Sequence, residues 1–273
     1  MSKKQPIQRT RASKEKLLDQ DTPFAIRESF NHLRTNLMYT LKDDDVNGCP
    51  VYGITSTGEA TGKSTVIANL AVSYSKIDKK VLVIDSDMRC PVQHLIFELD
   101  KEHVGLSEIL SSILPDTDKA IQHTKIENLD LISSGAIPPN PSELLMGNKL
   151  SKLIEKYRQC YDVIFIDFPP IDIVTDALVN SASITGYIFV VRSGRSDTKR
   201  VRTSIESMER VGAKILGIVL NDASIKGSLG YSYRYRRYGY SYYDTKNKSR
   251  SASTVANKAE GAATANNNST KEN

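Results

Sequence analysis

The sequence predicts an α/β fold: a mainly parallel sheet with helices packed on both faces. Three observations lead there. Six short apolar runs alternate with helical patterns, the signature of strands joined by helical crossovers. The runs are almost continuously apolar rather than alternating, as expected for strands covered on both sides. Two of them end in aspartate, and another leads into a glycine-lysine-serine turn. A chain of 273 residues is long enough to bury such a core as one domain.

Taken in order, residues 1–22 are polar and carry Lys3, Lys4, Arg9, Arg11, Lys14 and Lys16. They read as a mobile basic arm, either solvated or weakly drawn to an anionic membrane, where each basic residue contributes about 1 kcal/mol. Phe24, Ile26, Phe30, Leu33, Leu37, Met38 and Leu41 then recur near helical spacing, predicting an amphipathic helix from Phe24 to Lys42. The turn-rich DDDVNGCP ends it. Predicted strands follow at VYGIT (51–55), VLVID (81–85), LDLIS (129–133), YDVIFID (161–167), GYIFVV (186–191) and KILGIVLN (214–221). Helices are predicted over Ser64–Lys76, Ser142–Tyr157 and Thr198–Val211, with right-handed crossovers. GAIPPNPSELL is a stiff loop with Ser142 as the expected N-cap. After Leu220 the pattern dissolves. Residues 244–273 are rich in Ser, Ala, Asn, Thr and Lys and cannot bury enough apolar surface to offset ordering. The expected organisation is an arm at 1–22, a nucleotide-binding domain at 23–225, a tyrosine cluster at 226–243 and a disordered tail at 244–273.

Bulk properties exclude several classes. A net charge of +5 is too mild to argue for nucleic acid. Cys49, Cys90 and Cys160 form no CxxC pair and read as the reduced thiols of a cytosolic protein. His32, His94, His103 and His123 lack metal-ligand spacing. No apolar run approaches the roughly 20 residues of a membrane helix, so membrane attachment is expected only through a partner or a surface contact.

The chemistry starts at GITSTGEATGKSTVIANLA. A strand, a glycine-containing turn and an apolar helix form the context of a phosphate-binding P-loop. There, backbone N–H groups surround phosphates, the lysine reaches the β/γ oxygens and the serine hydroxyl meets Mg²⁺. The match assigns Gly62, Lys63 and Ser64, with Gly58, Thr61 and Thr65 as further nucleotide contacts. It is imperfect: the first glycine of GxxxxGK[ST] would fall at Thr57 and comes one place later, at Gly58, and Ala60 and Thr61 stand where such loops often carry glycine.

Two acidic strand ends support it. VLVIDSDMRCP carries Asp85 and Asp87. If the strand continues through Ser86, both carboxylates face the crevice at the carboxyl edge of the sheet; otherwise they cap a turn or helix. In the functional reading Asp87 supports Mg²⁺ and Asp85 accepts a hydroxyl proton, while Arg89 neutralises phosphate or steadies an aspartate. YDVIFID ends in Asp167, placed to hold Mg²⁺, often through water, or else to cap the strand end. Asp172 and Asp176 are expected at a helix N-terminus. Finally, GYSYRYRRYGYSYY holds seven of the thirteen tyrosines, Tyr231, Tyr233, Tyr235, Tyr238, Tyr240, Tyr242 and Tyr243, with only Ser, Gly and Arg between them.

GKST, VLVIDSDMR, VIFIDFPP, GAIPPNPSELL and the tyrosine-rich C-terminus together resemble the bacterial tyrosine kinases of capsular and exopolysaccharide synthesis, over roughly Phe24 to Tyr243. That resemblance implies ATP and Mg²⁺ as cofactors, catalytic roles for Lys63, Asp85 and Asp87, and metal contacts from Ser64, Asp87 and Asp167. It implies autophosphorylation of the seven tyrosines between subunits of a ring. It implies a membrane-spanning co-polymerase that activates a separate cytosolic kinase and recruits it to the inner membrane face, and a tyrosine phosphatase as a further partner. Asn221 would contact adenine, or simply end a strand. The family's subunit-contact pattern ExxRxxR reads here Glu28, Asn31, Arg34, with one arginine replaced. The competing reading is a partitioning or division-site ATPase, which carries a signature lysine where this chain has Gly58. A third, a nucleic-acid binder stacking bases on the tail, leaves the nucleotide site without a purpose.

Overall fold

The computed structural model describes residues 17–41, 48–99, 104–173 and 181–223. They belong to a compact unit that reaches Ala223; the tyrosine cluster and Asp176 lie outside the described residues. Seven strands form one sheet: β1 (Val51–Ser56), β2 (Val81–Asp85), β3 (Ile121–His123), β4 (Leu129–Ile132), β5 (Val163–Asp167), β6 (Gly186–Arg192) and β7 (Ile215–Asn221). Their spatial order is β3-β4-β2-β5-β1-β6-β7. Every pair is parallel except β3 with β4.

The predicted architecture is therefore present, and the strand register shows why the runs are apolar throughout. Leu82 and Ile84 of β2 and Ile164 and Ile166 of β5 face one layer. Val81, Val83, Val163 and Phe165 between them face the other. The second layer is covered by α1 (Phe24–Thr40) and α2 (Lys63–Ser75). The first is covered by α4 (Leu106–Leu110), α5 (Pro141–Met146), α6 (Lys149–Tyr157) and α7 (Thr198–Arg210). A short α3 (Gln93–Ile96) follows β2. Gly53 in the middle of β1 is a close-approach position: a Cβ there would stand 2.6 Å from the buried Tyr187 ring.

Several local expectations are corrected. The single helix predicted over 142–157 is two helices, and the first is capped by Asn140 with Pro141 at its start. Ser142 is thus inside α5 rather than its N-cap, because proline's fixed φ suits the first helical position. On α1 only Leu37 is fully buried, whereas Phe24, Ile26 and Met38 are exposed. The basic arm ends in packed structure: Leu18 is buried, and its N–H donates to Asn69 Oδ1 on α2 at 2.7 Å.

Candidate active site

The order β2-β5-β1 brings three carboxyl ends together at the middle of the sheet. Asp85 and Asp167 are register partners on adjacent strands, and β1 on the far side of β5 delivers the loop that opens α2. Gly62 caps α2 with φ 87° and ψ 19°. That left-handed conformation favours glycine, and a Cβ there would come within 2.1 Å of Asn221 Nδ2. Gly58 has ordinary φ and open space where a Cβ would stand. The displaced first glycine is therefore not demanded by the backbone here. Ala60 takes φ 54° instead, and its carbonyl accepts a 2.8 Å bond from Arg192 Nη1 at the end of β6. Asn221, at the end of β7, donates Nδ2 to Thr61 O at 2.9 Å. Two strand ends thus brace the loop from the side.

Lys63 is the first residue of α2. Its ammonium donates to Asp87 Oδ2 at 2.8 Å and to Asp167 Oδ1 at 3.3 Å, with Ser64 Oγ at 3.4 Å. All are nearly or fully buried. Burial alone lowers the Lys63 pKa, but the charges of Asp167 and then Asp87 outweigh it, and the net shift is upward. The lysine is held firmly as a cation.

Asp85 sits differently from its neighbour. The strand ends at Asp85, and Ser86 N bonds to Asp167 O at 2.9 Å, so Asp87 is carried by the loop. Asp85 Oδ1 accepts from Asp87 N at 3.2 Å, and Oδ2 accepts from Val92 N and Gln93 N at 3.2 and 3.1 Å. It anchors the loop to the start of α3 and is fully buried. Burial, and then the Asp167 charge, push its pKa up against those N–H bonds and the Lys63 ammonium. Asp87 retains slight exposure and also accepts from Cys90 N at 3.1 Å.

The remaining sequence candidates fall as follows. Gly58, Thr61, Gly62, Ser64 and Thr65 occupy the loop and the first turn of α2. Arg89 donates to Ser142 Oγ at 2.9 Å. Asp172 is tied to α7 by Arg200 and Ser204. Glu28 and Arg34 lie apart on α1: Arg34 donates to Ser73 O on α2, and Asn31 Nδ2 donates to Glu28 Oε1 at 2.9 Å. Two contributors carried no motif, Arg192 and Gln93. A charge ending an apolar strand could have flagged the first. Nothing in the local pattern flags the second.

The donor set suits a magnesium nucleotide. It offers hard oxygens from Ser64, Asp87 and Asp167, and carboxylates outnumber the single ammonium, so added positive charge is accommodated. Among the described residues no group of three or more His, Cys, Asp or Glu closes on a metal alone. Mg²⁺ does not need one, since it keeps waters and takes substrate phosphates as ligands. Buried hydroxyls of Thr57 and Thr61 in the loop, and of Ser86, have no hydrogen-bond partner among the described residues; they leave donors for a phosphate.

The AAA domain family matches residues 55–192. A putative tyrosine-protein kinase, CapB of Staphylococcus aureus, is 36% identical over 77% of this chain and 90% of its own length. The chain belongs to the bacterial tyrosine-kinase family. Tyrosine-protein kinase etk of Escherichia coli strain K12 is 36% identical over 76% of this chain, but the chain spans only 28% of that protein. Among solved structures, the chimerical protein CapA2B2 matches with a TM-score of 0.69 at 38% identity, covering 75% of this chain and 88% of that one. The septum site-determining protein MinD of Pyrococcus horikoshii, solved with Mg-ADP, reaches 0.55 at 27% identity over 63% of this chain and 70% of that one. The kinase family thus matches more of the chain, and more closely, than the division-site ATPase does.

Proposed function

We propose that this bacterial tyrosine kinase transfers the γ-phosphoryl group of ATP to tyrosine hydroxyls, first among them its own Tyr231, Tyr233, Tyr235, Tyr238, Tyr240, Tyr242 and Tyr243. The observation that carries the reading is Lys63, held as a cation between Asp87 and Asp167 at the opening of α2. Phosphoryl transfer needs positioning and charge neutralisation more than covalent help. Lys63 and the loop N–H groups supply both for the phosphates. Ser64, Asp87 and Asp167 would hold Mg²⁺, directly or through water. When bound, the ion neutralises charge on the phosphates.

A tyrosine hydroxyl, with pKa about 10, gives up its proton only as the bond to phosphorus forms. Asp85 is the carboxylate with raised proton affinity and is the proton acceptor in this reading. Its burial means that the loop after β2 must open for a hydroxyl to approach, and Asp87 is the first carboxylate such a hydroxyl meets. Asn221 contacts the nucleotide base from its place beside Thr61. Transfer occurs between copies of the chain, which assemble through the α1 surface bearing Glu28 and Arg34. The process regulates capsular or exopolysaccharide synthesis. A membrane-spanning co-polymerase recruits and activates the chain at the inner membrane face, and a tyrosine phosphatase reverses the modification. No helix among the described residues is long and apolar enough to cross a membrane.

The test is labelled ATP with Mg²⁺ and the purified chain, with and without the co-polymerase tail, read by phosphotyrosine. Label on the tyrosine cluster is expected, and Lys63→Met abolishes it. Lys63→Met protein mixed with active chain gains label again if transfer is between copies. ATP turnover with no phosphotyrosine under either condition overturns the reading in favour of a division-site type ATPase.

A further inference from the structure

Gln93 touches all three motifs of the site. Its Nε2 donates to Asp167 Oδ2 at 2.8 Å and to Ser64 O at 3.1 Å, and its backbone N–H donates to Asp85 Oδ2 at 3.1 Å. The residue is fully buried on the short α3. Both partners of Nε2 are acceptors, so the amide orientation is fixed: the nitrogen faces Asp167, and Oε1 lies on the other side. That oxygen is sealed from solvent and has no hydrogen-bond partner among the described residues. A buried acceptor left unpaired is costly.

We infer that Gln93 is the positioning residue for the magnesium-nucleotide site, an assignment that rests on the nucleotide-binding role of the loop proposed above. By occupying Asp167 Oδ2, Gln93 stops the carboxylate from rotating. Oδ1 then remains on the side of Lys63 and Ser64, where the cation and phosphates belong. By holding Ser64 O with the same amide group, Gln93 fixes the first turn of α2 relative to β5, so the serine hydroxyl and the aspartate oxygen keep one separation. The unpaired Oε1 can only accept. The ligand class that completes it is a water or hydroxyl. Residues that orient a metal's ligands rather than touching the metal contribute about 10–100-fold to affinity.

The experiment measures binding of a fluorescent ADP analogue to the full chain, once with Mg²⁺ and once with EDTA. The ratio of the two affinities is the coupling between nucleotide and metal, and linkage makes it reciprocal. For the unaltered chain, Mg²⁺ tightens binding. In Gln93→Met, affinity in EDTA stays within about twofold while the Mg²⁺-dependent gain falls about 10–100-fold. Gln93→Asn keeps the amide polarity but is one methylene too short to reach Asp167. It loses the gain in the same way, and it serves if the methionine variant does not fold. A merely structural role weakens both affinities together and leaves the ratio intact; that result, or unchanged binding in both conditions, overturns the assignment. An unaltered chain that binds nucleotide with no Mg²⁺ dependence would instead remove the magnesium-nucleotide reading itself, and the assignment with it.

Discussion

At the residue scale, Asp85 and Asp87 show how two identical carboxylates two positions apart diverge. Asp87 pairs with Lys63. Asp85 is fully buried, beside Asp167, and its pKa is raised first by burial and then by that neighbour's charge. The folded state therefore holds the Asp85 proton more tightly than the unfolded chain, whose value is near ~3.9. Its contribution to stability is complete below that value and is lost as pH rises through the folded pKa. Asp85→Asn cannot ionise. In EDTA, the stability of this variant relative to the unaltered chain should climb as pH rises from about 4 towards neutrality, which urea denaturation across that range would measure. A difference independent of pH would mean that Asp85 titrates normally. The same variant should lose phosphotransfer by about 100- to 10,000-fold; retention of full activity would remove Asp85 as the proton acceptor. The DxD spacing was legible in the sequence. The division of labour was not, because it depends on where β2 stops and on which backbone N–H groups α3 presents.

At the element scale, the strands were the legible part. Runs such as VLVID and VIFID are apolar on both sides because layers cover both faces. The three-residue β3 escaped, since Ile121, Gln122 and His123 give too few residues for a period to register. Gln93 escaped for a related reason: α3 has four residues, and one turn carries no amphipathic signal. Helix α1 was legible as a helix, but a second role of Arg34, inside the chain, was not. Family resemblance places Arg34 at a subunit contact; within the chain its guanidinium also donates to Ser73 O near the end of α2. Cations are favoured at helix C-termini, where carbonyls lack partners. Arg34 therefore braces α1 on α2 within one chain. Arg34→Ala should lower stability by about 1.5–3 kcal/mol, the range for a hydrogen bond to a charged group. Denaturation at dilute concentration, with the monomeric state checked by light scattering, would show it. An unmoved midpoint there would leave Arg34 with a role between chains only.

At the scale of the whole molecule, charge connects the site to the tail. The described chain leaves the sheet beside the nucleotide loop: Asn221 bonds to Thr61 O, and the next residue, Asp222, pairs with Arg192, which itself holds Ala60 O. The seven tyrosines begin at Tyr231, interspersed with Arg234, Arg236 and Arg237. Unmodified, that stretch carries three positive charges, opposite in sign to the site's aspartates. Each phosphate adds about −1.5 to −2, so full modification takes the stretch to roughly −7 to −11. A stretch opposite in charge to the aspartates would then become like-charged with them. We propose that autophosphorylation thereby disperses the assembly. The unmodified chain, at matched concentration and ATP, should show a higher mass by light scattering than the phosphorylated chain. Salt should separate this cause from others. At 0.1 M ionic strength charges are screened over about 10 Å, and at 1 M over about 3 Å, so the mass difference should shrink as salt rises. Equal masses at low salt would sink the switch. A difference that persists undiminished in 1 M salt would mean that phosphate acts through a specific contact rather than through charge.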